Sequence, residues 1–121
     1  MSRQIRFETY KGHAILCVNY SGLSETDMIQ TLDQAAAIGM KENDLCILAD
    51  FSKTRHSKLF NQKIKQHGLE YSKKGNDPRI AVLGIDSVLK RVIMNATMAV
   101  TRIRNVRLFE TRERALGWLI S

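Results

Sequence analysis

The sequence predicts one α/β domain over residues 1–121, with a mostly parallel, five-stranded mixed sheet, an N-terminal antiparallel hairpin and four covering helices. Three observations predict this class. Short apolar runs alternate along the chain with longer amphipathic segments. The first two runs are separated only by Lys11 and Gly12, which is typical of a hairpin turn. The later runs are separated by helix-length segments, as right-handed crossovers between parallel strands require.

The elements of the N-terminal half follow in order. "QIRFETY" and "HAILCVNY" are rich in β-branched and aromatic residues, and they are predicted to be the two strands of the hairpin. In "SETDMIQTLDQAAAIG", Ser24 precedes Asp27 by three residues, close to a capping box, and Gly39 is a typical helix stop. "LCILADF" is a continuous apolar run that suits a strand covered on both faces.

The C-terminal half repeats the alternation of helix and strand. A helix over 57–72 carries an apolar stripe of Phe60, Ile64, His67 and Tyr71. Pro78 then precedes the strand "RIAVLGI", and a helix capped by Asp86 or Ser87 is expected to run to Arg102. Its predicted core stripe comprises Val88, Leu89, Val92, Ile93, Ala96, Ala99, Val100 and Ile103. "VRLF" and the Thr111-capped helix "TRERALGWLI" complete the domain.

The positive charge is concentrated in one segment. Seven basic residues and one acid, Glu70, lie in 53–75, so this segment carries +6 of the net charge of +7. The simplest explanation of this pattern is a solvated helix face. Alternatively, the same charges could bind an acidic protein, an anionic membrane surface or a nucleic acid. Phe60 and Tyr71, the aromatics that could stack on bases, lie on the inward stripe, which makes nucleic acid the weaker alternative.

Several functional classes lack their usual signals. Cys17 and Cys46 lie in apolar strand-like runs without metal or redox spacing, so we expect two reduced thiols. His13, His56 and His67 are scattered, which predicts no metal site. The sequence contains no apolar run long enough for a membrane span or secretory signal, and we expect a cytoplasmic protein. No cofactor motif is present, and we predict no enzyme activity.

The end of the third strand is the main candidate site. In "CILADFSKTRHS", hydroxyls and cations follow the strand directly, and a helix begins just beyond them. One interpretation is an anion-binding or phosphorylated turn, because helix N-termini and the carboxyl ends of parallel strands favour such ligands. The residues of this candidate turn are Asp50, Ser52, Arg55, Ser57 and Lys58. The alternative is that Ser57 is only an N-cap and the cations are solvated. A triad of Asp50, His56 and Ser57 has no supporting nucleophile-elbow sequence.

A second candidate surface lies on the long helix, opposite its predicted core stripe. It comprises Arg91, Met94, Met98 and Arg102. Exposed thioethers suit an adaptable contact with a protein or a lipid. Packing of the same face against a second layer, including a homodimer, is the alternative.

Three motifs resemble the SpoIIAA-like proteins of the STAS superfamily, named after sulphate transporters and anti-sigma-factor antagonists. The C-terminal "VRLFETRERALGWL" is similar to the closing strand and helix of that family, "ILADF" to its central strand and "RIAVLG" to the next. The resemblance extends over the whole chain in element order. It implies the STAS fold and a non-catalytic regulatory module that binds a protein partner.

The resemblance also implies roles for particular residues. Asp50 matches the acid at the end of the family's strand, and Ser57 lies near its phosphorylated serine. The family signature Asp-Ser-Ser-Gly-Leu is absent, since "TRH" precedes Ser57 and "KLF" follows it. SpoIIAA-like proteins are also compared with Sec14-type lipid carriers. That comparison implies a pocket for a lipid or small apolar ligand beneath the long helix, lined by Val92, Ile93, Ala96 and Val100.

Overall fold

The computed structural model describes residues 3–55, 57–99 and 105–121, and the side chains of Thr97 and Met98 lie outside the description. The described chain alternates strands and helices in the predicted order. The elements are β1 (Ile5–Tyr10), β2 (His13–Asn19), α1 (Glu25–Lys41), β3 (Cys46–Asp50), α2 (Lys58–Lys73), β4 (Arg79–Leu83), α3 (Val88–Ala99), β5 (Val106–Phe109) and α4 (Arg112–Leu119).

The five strands form one sheet in the order β1-β2-β3-β4-β5. β1 and β2 are antiparallel, and every later pair is parallel. Each crossover moves one strand further in the same direction, so right-handed connections place α1, α2 and α3 on one face. These helices contact one another, whereas α4 packs on β3, β4 and β5 from the opposite face. The predicted fold class is confirmed.

The continuous apolar runs arise because the central strands are covered on both faces. Alternate residues of β3 and β4 point to opposite sides, so Ile47 and Ala49 face α1–α3, while Leu48 faces α4. Leu48 and Ala81 pack against Ala115, Leu116 and Leu119 of α4. A strand in this position cannot alternate apolar and polar residues, which explains why "LCILADF" reads as uniformly apolar.

The predicted end of α1 is wrong. The helix continues past Gly39 to Lys41. Gly39 instead makes room for a side chain of α2, because a Cβ atom there would lie 2.4 Å from the Tyr71 hydroxyl oxygen. That hydroxyl donates a hydrogen bond of 2.9 Å to the carbonyl of Ala36. The glycine is therefore a packing residue between two helices and does not end the first one.

The predicted core stripe of α3 is also wrong. Val88, Leu89 and Val92 are 81%, 70% and 58% exposed, and Met94 is only 2% exposed. Lys90 and Met94 face the molecule instead, beside Ile93, a residue of the predicted stripe that is half-buried. The helix is apolar on more than one side, so periodicity does not determine which side packs. Val100, Arg102 and Ile103 lie outside the described residues.

Candidate functional site

The turn after β3 is organised by the carboxylate of Asp50. Its Oδ1 atom accepts hydrogen bonds from the backbone N–H of Ser52 at 2.9 Å and from the Ser52 hydroxyl at 2.6 Å. Gly84, at the end of β4, packs directly against this turn with φ +84°, and a Cβ atom there would lie 2.3 Å from Ser52 N. Asp50 therefore stabilises the conformation of the turn, and the turn packs closely against the end of β4.

Helix α3 is attached to the same loop by Lys90. The Lys90 ammonium donates to the Thr54 carbonyl at 2.9 Å and pairs with Asp86 at 3.2 Å. The buried Thr54 hydroxyl donates to the Phe51 carbonyl at 2.6 Å. Residues 51–54 and the first turn of α3 are consequently joined by hydrogen bonds.

Ser57 is the N-cap of α2. Its hydroxyl oxygen accepts a hydrogen bond of 3.1 Å from the backbone N–H of Phe60, and its backbone is extended, as an N-cap requires. No acidic residue lies in the first turn of α2, although the cap position favours negative charge. The capping interpretation of Ser57 is confirmed, and its phosphorylation stays a prediction.

An aromatic cluster lies beneath this loop. Phe51 stacks on Tyr20 with ring centroids 4.6 Å apart, and Phe60 meets both rings edge-on at 5.7 and 5.9 Å. All three side chains are buried. Phe51 opens the loop and Phe60 lies in the first turn of α2, so both ends of the loop are anchored to the core.

The cations of this candidate site lie in the loop and at the start of α2. Lys53, Arg55 and Lys58 are exposed, and Lys53 has a positive φ of 55°. His56 lies outside the described residues. Beside the loop, the outward face of α3 presents Val88 and Leu89 to solvent. The structure therefore brings the predicted basic turn together with an apolar helix face that the sequence had assigned to the core.

A shallow groove of about 480 Å³ borders this apolar face at the carboxyl ends of β4 and β5. It is lined by Gly84, Ile85, Asp86, Ser87, Val88, Arg91, Phe109 and Glu110. Arg91 is exposed as predicted for the second candidate surface, but Met94 is buried and does not belong to it. The Met98 side chain and Arg102 lie outside the description.

The predicted pocket beneath α3 is not lined as expected. Val92 and Ala96 are exposed, Ile93 is half-buried, and Val100 lies outside the described residues. The prediction is wrong for Val92 and Ala96, because the opposite side of the helix faces the sheet. Lys90 and Met94 take the inward positions instead.

An apolar cavity does exist, but it lies under α1 and α2. Its volume is about 90 Å³, it is partly open, and its wall is almost entirely apolar. The lining comprises Val18, Tyr20, Leu32, Ala35, Ala36, Ile47, Ala49, Phe51, Ile64, His67, Gly68, Tyr71, Ile80, Val82 and Met94. Protein interiors contain few voids larger than a water molecule, so this is a distinctive feature of the core.

His67 borders the cavity and belongs to a small polar cluster between α1 and α2. Its Nε2 atom lies 2.7 Å from Oδ1 of Asp33 in α1, and Lys63 Nζ lies 3.5 Å from the same oxygen. The histidine of the predicted apolar stripe is thus half-buried and hydrogen-bonded across to α1. Within residues 3–55, 57–99 and 105–121, no group of three or more His, Cys, Asp or Glu side chains is placed to hold a metal ion.

Both cysteines have free thiols, as predicted. Cys17 is buried and donates to Glu8 Oε2 at 3.2 Å, while the half-buried Cys46 donates to the Leu119 carbonyl at 3.2 Å. Burial, reinforced by the neighbouring Glu8 carboxylate, raises the pKa of Cys17 to about 11. The hydrogen bond from Cys17, together with Arg6 and Arg112, lowers the pKa of Glu8. The Cys17 thiol is thus a poor nucleophile at neutral pH.

The arrangement of a mixed sheet, with three helices on one face and one on the other, is shared with a known class of domain. The structure is similar to that of an anti-sigma-factor antagonist (STAS) domain protein from Planctomyces limnophilus, with a TM-score of 0.62 and 15% sequence identity. The match covers 97% of this chain and 98% of that chain. No family model matches the sequence, and no curated protein matches it. The chain has the STAS fold, and the predicted resemblance is confirmed at the level of the fold.

None of the helices in the described part of the chain is both long and apolar enough to cross a membrane.

Proposed function

We propose that this chain is a non-catalytic regulatory module that binds a protein partner through one surface, here called the docking surface. The docking surface comprises the exposed apolar residues Val88, Leu89 and Val92 of α3 and the exposed cations Lys53, Arg55 and Lys58. The observation that carries the proposal is the exposure of three large apolar side chains within two helical turns. Grouped apolar side chains at a protein surface commonly mark contact sites.

The positive charge of the docking surface indicates which kind of partner surface would be complementary. The three cations are exposed, and Lys90 fixes α3, which carries the apolar residues, to the loop that contains Lys53 and Arg55. A complementary partner would present apolar side chains surrounded by carboxylates. Since rim charges act mainly on the association rate, added salt should slow association more than it speeds dissociation.

The apolar part of the docking surface is tested by the double substitution of Leu89→Gln and Val92→Gln. Glutamine is a good helix former, and both positions are exposed, so the fold should be unaffected. The control is Leu69→Gln on α2, whose side chain is 43% exposed. In affinity capture from cell extract, a protein retained by the wild type and Leu69→Gln should be lost with the double variant. Equal capture by all three would refute the docking surface.

The basic part of the docking surface is tested in the same assay. Substituting Lys53 and Arg55 by Gln should reduce capture at low salt and make it less sensitive to salt. Segment 53–75 could instead bind a nucleic acid or an anionic membrane. Binding of a labelled single-stranded oligonucleotide and of vesicles containing anionic lipid is therefore measured as well. Strong, salt-sensitive binding of either would favour that alternative over a protein partner.

Ser57 is the residue through which docking would be regulated. A phosphate there would add negative charge at the N-terminus of α2, where no acid is present, and among three exposed cations. Asp and Asn are both good N-caps, so Ser57→Asp and Ser57→Asn differ in charge but not in capping. If Ser57→Asp fails to capture the partner and Ser57→Asn still captures it, regulation by phosphorylation of Ser57 is supported. Equal capture by both variants indicates regulation without phosphoserine.

A further inference from the structure

We propose that the outer edge of β1 pairs with β1 of a second copy of this chain, so that the two sheets join antiparallel in a twofold dimer. This edge is separate from the docking surface, because α3 belongs to the crossover between β4 and β5, at the other end of the sheet. The dimer therefore leaves the docking surface of each copy uncovered.

The edge of β1 is open and regular. Among the described strands, β1 has β2 as its only neighbour, and its six residues pair with β2 in an unbroken register. The strand "IRFETY" contains neither proline nor lysine, and α4 packs on β3, β4 and β5 instead. Proteins usually protect an edge with short strands, bulges, proline or lysine, and an unprotected edge is a template for another strand.

Hydrogen bonding to β2 determines which backbone groups of β1 face this edge. The Asn19 N–H donates to the Gln4 carbonyl at 2.8 Å, so these two residues form a hydrogen-bonded pair. Such pairs alternate with non-hydrogen-bonded pairs along an antiparallel ladder. The even-numbered residues of β1 consequently bond to β2 as well, whereas the odd-numbered residues direct their N–H and C=O groups outward. The outward residues are Ile5, Phe7 and Thr9.

The charges of β1 select one register for the pairing. With the twofold axis at Phe7, this residue pairs with Phe7 of the second copy, and Ile5 pairs with Thr9, so the outward groups of all three residues are bonded. Arg6 then lies opposite Glu8 of the second copy in a non-hydrogen-bonded pair, where side chains are closest. Moving the axis to Arg6 or Glu8 places two like charges opposite each other, and moving it further shortens the ladder.

The side chains on both faces of β1 suit this register. Arg6 and Glu8 lie on the side of α4, 2.8 Å apart, and Arg112 of α4 also pairs with Glu8. The second copy completes a square of four charges that alternate in sign around the axis. On the other face, Phe7 is 40% exposed. Contact with Phe7 of the second copy would bury part of both rings.

Sedimentation velocity of the full chain, from low micromolar to millimolar concentration, tests the dimer. We expect a shift from monomer to dimer at the high end, since one strand from each copy makes a small interface. Amide hydrogen exchange at Phe7 and Thr9 should slow as the dimer forms, because their N–H groups then become bonded. A chain that stays monomeric would overturn the proposal. So would a dimer in which both amides exchange as fast as in the monomer.

A matched pair of substitutions at Thr9 tests the backbone pairing. Thr9→Pro removes an outward N–H and leaves the ladder with β2 intact, as proline on an edge strand can. Thr9→Val keeps the N–H. Thr9→Pro should weaken dimerisation at least about tenfold, because each copy loses one hydrogen bond, and Thr9→Val should dimerise like the wild type. Equal dissociation constants for the two variants would refute pairing at this edge.

Charge exchange tests the register. Arg6→Glu alone and Glu8→Arg alone should both stay monomeric where the wild type dimerises, because like charges then face each other. An equimolar mixture of the two should form a heterodimer, detected by native mass spectrometry, because opposite charges then meet at both positions. Homodimers of both single variants, or a mixture that stays monomeric, would contradict the register. If Glu8→Arg does not fold without its contact to Arg112, Arg6→Glu and the Thr9 pair decide.

Discussion

Replacing Ser57 by alanine should destabilise the protein by about 1–2 kcal/mol. N-cap substitutions to alanine cost about 0.5–2 kcal/mol, and the structure places this one in the upper half of that range. The donor is the backbone N–H of Phe60, a residue that is fully buried. Water therefore cannot readily replace the lost acceptor. Ser57→Asn should restore most of the lost stability, because asparagine caps as well as serine.

Ser57→Asp should exceed the wild type in stability. A carboxylate at the N-terminus of α2 interacts favourably with the helix dipole, and such an interaction contributes about 0.3–1 kcal/mol at low ionic strength. The first turn of α2 contains no acid, and Lys58 follows the cap directly. The gain should shrink as salt is added, since the site is only half-buried.

The assay is urea-induced unfolding at low and high salt, with unchanged m-values as the sign that only stability has changed. Ser24, the N-cap of α1, provides the matched control. It is exposed, and Glu25 and Asp27 already supply acids in that first turn. Ser24→Ala should cost less than Ser57→Ala, and Ser24→Asp should gain nothing. Equal losses at the two caps, or a gain from Ser57→Asp that ignores salt, would refute this reasoning.

Three further predictions concern stability. The Cys17 thiol ionises near pH 9 in the unfolded chain and at about 11 in the fold, so stability should fall by about 2 kcal/mol from pH 9 to pH 11. Cys17→Ala should flatten this slope, and an unchanged slope contradicts the assignment. Asn76→Ala should cost about 2–4 kcal/mol in urea unfolding, because this buried amide forms hydrogen bonds with two backbone groups. The control Asn105→Ala loses one exposed hydrogen bond and should cost less than about 1 kcal/mol. Gly84→Ala should lower the free energy of unfolding by at least about 1 kcal/mol more than Gly12→Ala does, as measured by thermal unfolding. Both glycines have φ +84°, but only at Gly84 would a Cβ atom meet close neighbours. Equal losses in the two variants would exclude the clash.

The order and type of the elements could be predicted because each depends on local sequence. The apolar runs of β3 and β4 are too short for helices, and Ser24, Ser57 and Thr111 all cap the helices that they were predicted to cap. Such signals lie within a few residues of the feature they specify. The same holds for the basic turn, where the order of residues after Asp50 already places hydroxyls and cations at a strand end.

The orientation of α3 could not be predicted, because it depends on partners distant in sequence. Lys90 faces inward since the Thr54 carbonyl and Asp86 accept its ammonium, and a lysine on an inward face contradicts the usual pattern. Met94 lies one helical turn after Lys90, on the same side of α3, and is buried, whereas Val92 lies on the exposed side. The exposed apolar surface was therefore mistaken for core.

The cavity gives no sequence signal. Ala35, Ala36 and Ala49 are ordinary residues of a helix and a strand, and only their meeting in space leaves volume unfilled. Gly39 is a similar case, because its role depends on the position of Tyr71. A search for small residues facing one another across a sheet and two helices would require the fold first.

The stacked and edge-on rings of Tyr20, Phe51 and Phe60 also affect how fast and how tightly a partner binds. Because Phe51 and Phe60 both pack in this buried cluster, residues 51–55 are expected to keep one conformation before and after association. Little backbone freedom then remains to be lost on complex formation, which favours affinity without any additional contact. Recognition should resemble the docking of two rigid bodies, with similar amide order parameters in the loop of the isolated protein and of the complex.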